Sequence, residues 1–192
     1  MNSIAAYYDS LADKYGATHQ SVDASSQEAL DVRYRVLSEV ADPRGKMVLD
    51  VGCGFGAVGS YIGDRDINNY VGIDISPKLI ELAKTKHRHL RFECADLMDW
   101  NEPADIILSQ GILYKADYTK IEAIVDKLYS LTNEALAFTT IYMKHPHKMG
   151  EYKDGEFRPN IHWLLDHCQG LTDKVVIRAD YWKGDCCIYM YR

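Results

Sequence analysis

Asp50, Gly52, Cys53, Gly54 and Gly56 fall within one nine-residue run, Val48-Leu49-Asp50-Val51-Gly52-Cys53-Gly54-Phe55-Gly56. A carboxylate beside three alternate glycines suits a loop that holds a charged ligand, because glycine lets the backbone turn sharply and approach without Cβ interference. A helix starting at Ala57 would aim free N–H groups and its positive dipole end at an anionic part of that ligand. Two further carboxylates close apolar runs: Asp74 follows Tyr70-Val71-Gly72-Ile73, and Asp96 follows Leu90 to Ala95. A carboxylate at the first of these places can accept hydrogen bonds from two vicinal ribose hydroxyls.

The elements that must carry these groups follow from periodicity. Val48, Leu49 and Val51 suit a strand buried on both faces, as in a parallel sheet. From Met47 onward strands and helices alternate: a helix over 57–64, a strand at Tyr70, a helix from Pro77 to Lys86 and a strand at Leu90. Next come a strand over Ala104 to Ser109, a helix over Tyr118 to Leu131, a strand over Ala135 to Ile141 and an Asn160-capped helix through His167. This alternation predicts a right-handed, mostly parallel α/β sheet with its ligands at the carboxyl ends of the strands. The last two strands, Lys174 to Tyr181 and Cys186 to Tyr191, are joined only by Trp182-Lys183-Gly184-Asp185, which requires antiparallel pairing. Before the sheet, Tyr7, Tyr8, Leu11 and Tyr15 have helical spacing up to Gly16. A second helix is predicted after Ser25, where Ser25-Ser26-Gln27-Glu28 has capping-box spacing, running to about Ala41.

Spacing alone leaves the cofactor open. Gly52-x-Gly54-x-x-Ala57 also fits the dinucleotide fingerprint, and both NAD and S-adenosylmethionine carry a ribose for Asp74. The full series is more specific. The glycine run, then Val71-Gly72-Ile73-Asp74-Ile75-Ser76, Ala95-Asp96-Leu97 and Ala104-Asp105-Ile106-Ile107-Leu108-Ser109 resemble the successive motifs of class I S-adenosylmethionine-dependent methyltransferases of the small-molecule type.

The resemblance implies a Rossmann-like, seven-stranded sheet of order 3-2-1-4-5-7-6, with an antiparallel C-terminal hairpin and helices on both faces. It also implies one domain over 1–192, in which residues 1–45 form a helical cap over the site and 46–192 the core. S-adenosyl-L-methionine is the implied cofactor and S-adenosyl-L-homocysteine its product. Position by position, it assigns the methionine end to Asp50, Gly52, Cys53, Gly54 and Gly56, with Gln110 at the amino group. The ribose falls to Asp74, the adenine to Asp96 with the Leu97 backbone, and packing on the adenine ring to Ile75. Tyr15 matches a tyrosine that faces the cofactor from the N-terminal helix.

A sulfonium methyl is already activated toward in-line displacement, so the protein must mainly align the acceptor and exclude water. A hydroxyl or protonated amine acceptor must also lose a proton, whereas a carboxylate or thiolate need not. Lys115 stands where the resemblance leads one to expect a Leu-x-His histidine, so a base role does not carry over. Lys115 can instead hold an acidic substrate or be a solvated loop lysine. His145 and His147, flanking Pro146, titrate near neutrality and are candidate bases, or simply exposed loop histidines. We take His145 and Lys115 as the catalytic candidates. Polar, glycine-bearing 150–155 is read as a flap.

Composition narrows the rest. The 192 residues are 47% hydrophobic, enough for one substantial core. A mean hydropathy of −0.29 and the lack of a long apolar run speak against a membrane span, and no secretory signal is evident, so a cytoplasmic protein is expected. Net charge is −6, which disfavours a nucleic-acid partner and leaves a small-molecule acceptor. The five cysteines have no C-x-x-C pair, so neither a metal site nor a disulfide framework is expected. Oligomeric state is not encoded in any motif. Two competing readings remain: an NAD(P)-dependent Rossmann oxidoreductase, and a non-catalytic cofactor-binding or regulatory protein with the same fold.

Overall fold

The computed structural model describes residues 3–63, 69–142, 149–153 and 155–192. Two helices, α1 (Ser3–Tyr15) and α2 (Gln27–Ser38), precede β1 (Val48–Val51), α3 (Ala57–Gly63), β2 (Tyr70–Asp74), α4 (Pro77–Lys86) and β3 (Arg91–Cys94). There follow β4 (Ala104–Gln110), α5 (Ile121–Ser130), β5 (Thr132–Ile141), a two-stranded ribbon β6 (Gly150–Lys153) and β7 (Glu156–Pro159), α6 (Ile161–Leu171), β8 (Val175–Arg178) and β9 (Asp185–Tyr191).

The main sheet has the order β3-β2-β1-β4-β5-β9-β8, parallel through β5 and antiparallel at β9 and β8. With the inserted ribbon set aside, this is the arrangement 3-2-1-4-5-7-6. Strand order reverses between β1 and β4, so their carboxyl ends open a crevice there. Successive side chains of a strand point to opposite faces, and each face buries its own core. Leu49, Val51, Ile107 and Cys186 pack on one side; Val48, Ile106, Leu108 and Cys187 pack on the other. Cys186 and Cys187 thus point apart, and all five cysteines are free thiols.

Helix starts follow cap chemistry. Pro77 opens α4 behind Ser76, whose Oγ accepts the Leu79 N–H at 3.1 Å, and Asn160 caps α6 through the His162 N–H at 3.0 Å. At α2 the cap is Ser26 rather than Ser25. Its hydroxyl accepts the Ala29 N–H, so the helix begins at Gln27 and ends at Ser38, short of Ala41. Tyr118 to Lys120 form a short 3-10 turn capped by Asp117, which delays α5 to Ile121. The ribbon replaces the expected loose flap. Its Phe157 is wholly buried, and the Phe157 N–H donates to the Tyr114 carbonyl at 2.7 Å, fastening the ribbon to the segment after β4.

Candidate functional site

A cavity of about 660 Å³ opens at the carboxyl ends of β1, β2 and β4, roofed by α1 and the segment after it. Gly52 and Gly54 line it, with φ of +72° and +56°. A Cβ on Gly54 would stand 2.7 Å from Val22 Cγ1, and one on Gly52 would stand 2.3 Å from Ile112 Cγ2. Both positions therefore demand glycine twice over, by backbone conformation and by space. Gly56 and Cys53 lie behind the loop, away from the lining: a Cβ on Gly56 would strike the Phe92 ring.

Asp74 is tied to that loop. The Gly54 N–H donates to its Oδ2 at 2.9 Å and the Ser76 N–H to its Oδ1 at 2.8 Å. Burial raises its pKa while those two N–H bonds pull it back. Each carboxylate oxygen keeps acceptor capacity, and Asp74 lines the cavity. Ser76 donates in turn to Asp9 at 2.6 Å and Lys78 pairs with Asp13, so α1 is pinned across the start of α4. Farther along, Asp96 accepts the Met98 N–H at 3.0 Å, and Ile75, Ala95, Leu97 and Met98 give this end an apolar wall suited to a flat ring.

Asp50 occupies a deeper layer. It is fully buried and accepts the Tyr70 hydroxyl at 2.6 Å on Oδ2, while Oδ1 has no partner among the described residues. Burial pushes its pKa up to about 7, against the Tyr70 bond. It supports the loop from below and does not line the cavity.

The opposite end of the cavity comes from α2 and the segment after β4. Gln110, Gly111, Tyr114 and Lys115 line it, with Arg33 and Tyr8 facing them across the space. Arg33 lies 9% exposed and grips Asp185 through Nε at 2.6 Å and Nη2 at 3.2 Å. Its guanidinium carbon stands 5.9 Å from the Tyr114 ring centre. The Tyr114 hydroxyl is buried with no well-formed hydrogen bond among the described residues, and burial raises its pKa to about 12 against the neighbouring Arg33 and Thr139. Lys115 Nζ pairs with Asp23 at 3.2 Å.

Most of the residues singled out in the sequence thus meet in one cavity: Gly52, Gly54, Asp74, Ile75, Asp96, Leu97, Gln110 and Lys115. Tyr15 does not line it; Tyr8, two helical turns earlier on the same face of α1, does. His145 and His147 lie outside the described residues. Arg33 and Tyr114 carry no local signal that marks them as site residues, Tyr8 shares its helical face with the favoured Tyr15, and the ion pair that orients Arg33 joins positions 152 residues apart.

The lining fits S-adenosylmethionine. It offers glycine backbone, a fixed carboxylate and an apolar wall beside Asp96, the kinds of surface that the cofactor's methionine, ribose and purine parts need. The volume lies within the range of ligand cavities that can take a cofactor and a small acceptor.

Residues 48–135 match the family model described as a methyltransferase domain. Among curated relatives, a trans-aconitate 2-methyltransferase of Sinorhizobium fredii is 30% identical over 117 residues, covering 60% of this chain and 44% of that protein. An uncharacterized methyltransferase of Anoxybacillus flavithermus is 29% identical over 121 residues, covering 61% and 57%. The chain therefore spans about half the length of these relatives. Among solved structures, the DhpI-SAM-HEP complex superposes with a TM-score of 0.72 at 16% identity, over 97% of this chain and 94% of the other. Magnesium protoporphyrin IX methyltransferase of Synechocystis PCC 6803 with bound SAM superposes at 0.67 and 16% identity, over 86% and 79%.

Proposed function

We propose that the chain is a class I S-adenosylmethionine-dependent methyltransferase that transfers the methyl group of S-adenosyl-L-methionine to an oxygen or nitrogen of a small-molecule acceptor. The observation that carries this reading is the Gly54 N–H to Asp74 bond, which makes the glycine loop and the ribose carboxylate one rigid unit beside Asp96. The names of the matched proteins agree with it: a trans-aconitate methyltransferase and a magnesium protoporphyrin IX methyltransferase both act on small molecules.

When bound, the cofactor supplies an activated methyl carbon. The residues of the chain supply the rest. Asp74 accepts the ribose hydroxyls, the backbone at Gly52 and Gly54 and the Gln110 side chain meet the methionine end, and Ile75 packs on the adenine. Tyr8 and α1 exclude water from above.

The acidic balance, with net charge −6, favours a small acceptor over nucleic acid. No described helix is long and apolar enough to cross a membrane.

The test is calorimetry with S-adenosylmethionine, S-adenosylhomocysteine and NADH. Binding of the first two is expected. Binding of NADH alone would restore the oxidoreductase reading, and cofactor binding without turnover on any acceptor would favour a regulatory role.

A further inference from the structure

We propose, resting on the methyl-transfer reading above, that the acceptor is a small oxyanion, a carboxylate or phosphonate held by Arg33 and Tyr114, and that its anionic oxygen receives the methyl. The first support is the way Arg33 is held. Nε and Nη2 bind Asp185 along one edge of the guanidinium, leaving the Nη1/Nη2 edge without a hydrogen-bond partner among the described residues, on a side chain that lines the cavity. That edge presents parallel donors matched to a second oxyanion. Asp185 is 1% exposed and fixes the guanidinium from behind, so its orientation does not depend on the ligand.

The second support is Tyr114. Its hydroxyl is buried beside Arg33 with only the Thr139 side chain as a polar neighbour and no well-formed hydrogen bond among the described residues, a costly arrangement unless a ligand completes it. With its pKa raised to about 12 by burial, it is a donor at neutral pH and not a base. Tyr8, across the cavity, is raised further by burial and by Asp23 and Asp74, so it too stays protonated.

The third support concerns protons. No histidine or cysteine lines the cavity among the described residues. Of the lining carboxylates, Asp74 and Asp96 accept backbone N–H groups beside the glycine loop and the apolar wall, Asp23 is paired with Lys115, and Asp117 caps the turn at Tyr118; Lys120 is a further lining cation. Beside Arg33 and Tyr114 this lining offers anion donors and no imidazole or thiol base, which suits an acceptor already ionised in solution. In the step, the acceptor oxygen forms a bond to the methyl carbon as the carbon–sulfur bond breaks, and that electron pair goes to sulfur. Negative oxyanion and positive sulfonium become a neutral ester and a neutral thioether. No proton has to move.

The experiment is calorimetry on the chain saturated with S-adenosylhomocysteine, using tricarballylate, glutarate and methylphosphonate as anionic probes and glutaramide as an uncharged control. At least one anion should bind and glutaramide should not; which anion binds tells the acid class. Tyr114→Phe, which keeps the ring, should weaken that anion roughly tenfold, the cost of a lost hydrogen bond to a charged group. Because Arg33→Met alone strands buried Asp185, the pair is removed together as Arg33→Met with Asp185→Leu. Anion binding should then be lost while S-adenosylhomocysteine affinity is kept. With S-adenosylmethionine and a carboxylate that binds, such as glutarate, a methyl ester should form at a rate flat from about pH 7 to 9, since acceptor and protein need lose no proton; with methylphosphonate any rise in rate should follow the acceptor's own second ionisation. Failure of all three anions to bind, unchanged binding in the double variant, or a basic limb above about pH 7 with a carboxylate acceptor would overturn the inference. Lack of S-adenosylhomocysteine binding by the unaltered chain would instead defeat the methyl-transfer reading, and this inference with it.

Discussion

Lys115 Nζ lies 3.2 Å from Asp23 Oδ2, and the Tyr7 hydroxyl donates to the same oxygen at 2.7 Å. The segment after β4 is thereby clasped to α1 and to the residue that ends the turn following it. Asp23 has a φ of +55°, the only positive value at a non-glycine among the described residues, and that left-handed backbone carries its carboxylate between the two partners. The cap and the acceptor end therefore move as one unit or part together. Lys115→Met should cost about 0.5–1 kcal/mol, as expected for a partly exposed pair. Its larger effect should be faster amide exchange over Ser3–Asp23 and faster cofactor release. Unchanged exchange in that segment would mean that the clasp does not hold the cap.

Asp74 serves both the ligand and the loop. Asp74→Ala should weaken S-adenosylmethionine by about 1–3 kcal/mol, the range for losing a charged hydrogen-bond partner. Because the Gly54 and Ser76 N–H groups lose their acceptor as well, the variant should also unfold more easily. Calorimetry and denaturant midpoints read the two effects separately. Unchanged affinity would remove Asp74 from the ribose role.

The contrast between Tyr15 and Tyr8 shows what a sequence can disclose here. Their separation of seven residues puts them on one helical face, about 10 Å apart along the axis. Periodicity finds that face but cannot say which turn lies over the cavity, because this depends on where α1 docks. Docking is set by Asp9 on Ser76 and Asp13 on Lys78, contacts 67 and 65 residues long. The glycine loop, Asp74 and the terminal hairpin were legible because each is encoded locally, in runs of a few residues. Arg33 with Asp185 was not, since neither residue is marked until α2 and β9 come together. The ribbon is a related case: the polar composition of 150–155 suggests a flap, while Phe157, outside that stretch, is buried in the core and the Tyr152 hydroxyl donates to the Ala116 carbonyl at 2.8 Å.

Gly54→Ala should abolish measurable cofactor binding, since the new methyl would meet Val22 Cγ1 at 2.7 Å and the backbone φ of +56° disfavours a side chain. The two causes can be separated. Val22→Ala removes the obstructing methyl, so Gly54→Ala with Val22→Ala should recover part of the affinity. It should still fall short by about 1–2 kcal/mol, the cost of an L-residue in the left-handed region. No recovery in the double variant would place the whole effect in the backbone.

Asp50 should set a pH dependence of stability. Its pKa is about 7 in the folded chain, raised by burial, against an ordinary value of 3.8. Between those values the folded chain binds a proton that the unfolded chain does not, so stability falls as pH rises through this window and levels off above it. The favourable contribution is complete below the unfolded value and is gone once pH passes the folded one. Asp50→Asn is uncharged throughout and can still accept the Tyr70 hydroxyl, so it should lack this slope. Denaturant midpoints at about pH 5 and pH 8 test the difference: the unaltered chain should lose more stability between them than Asp50→Asn does. Equal losses would mean that Asp50 is ionised beneath the loop at both pH values, and that the glycine turn rests on a buried charge.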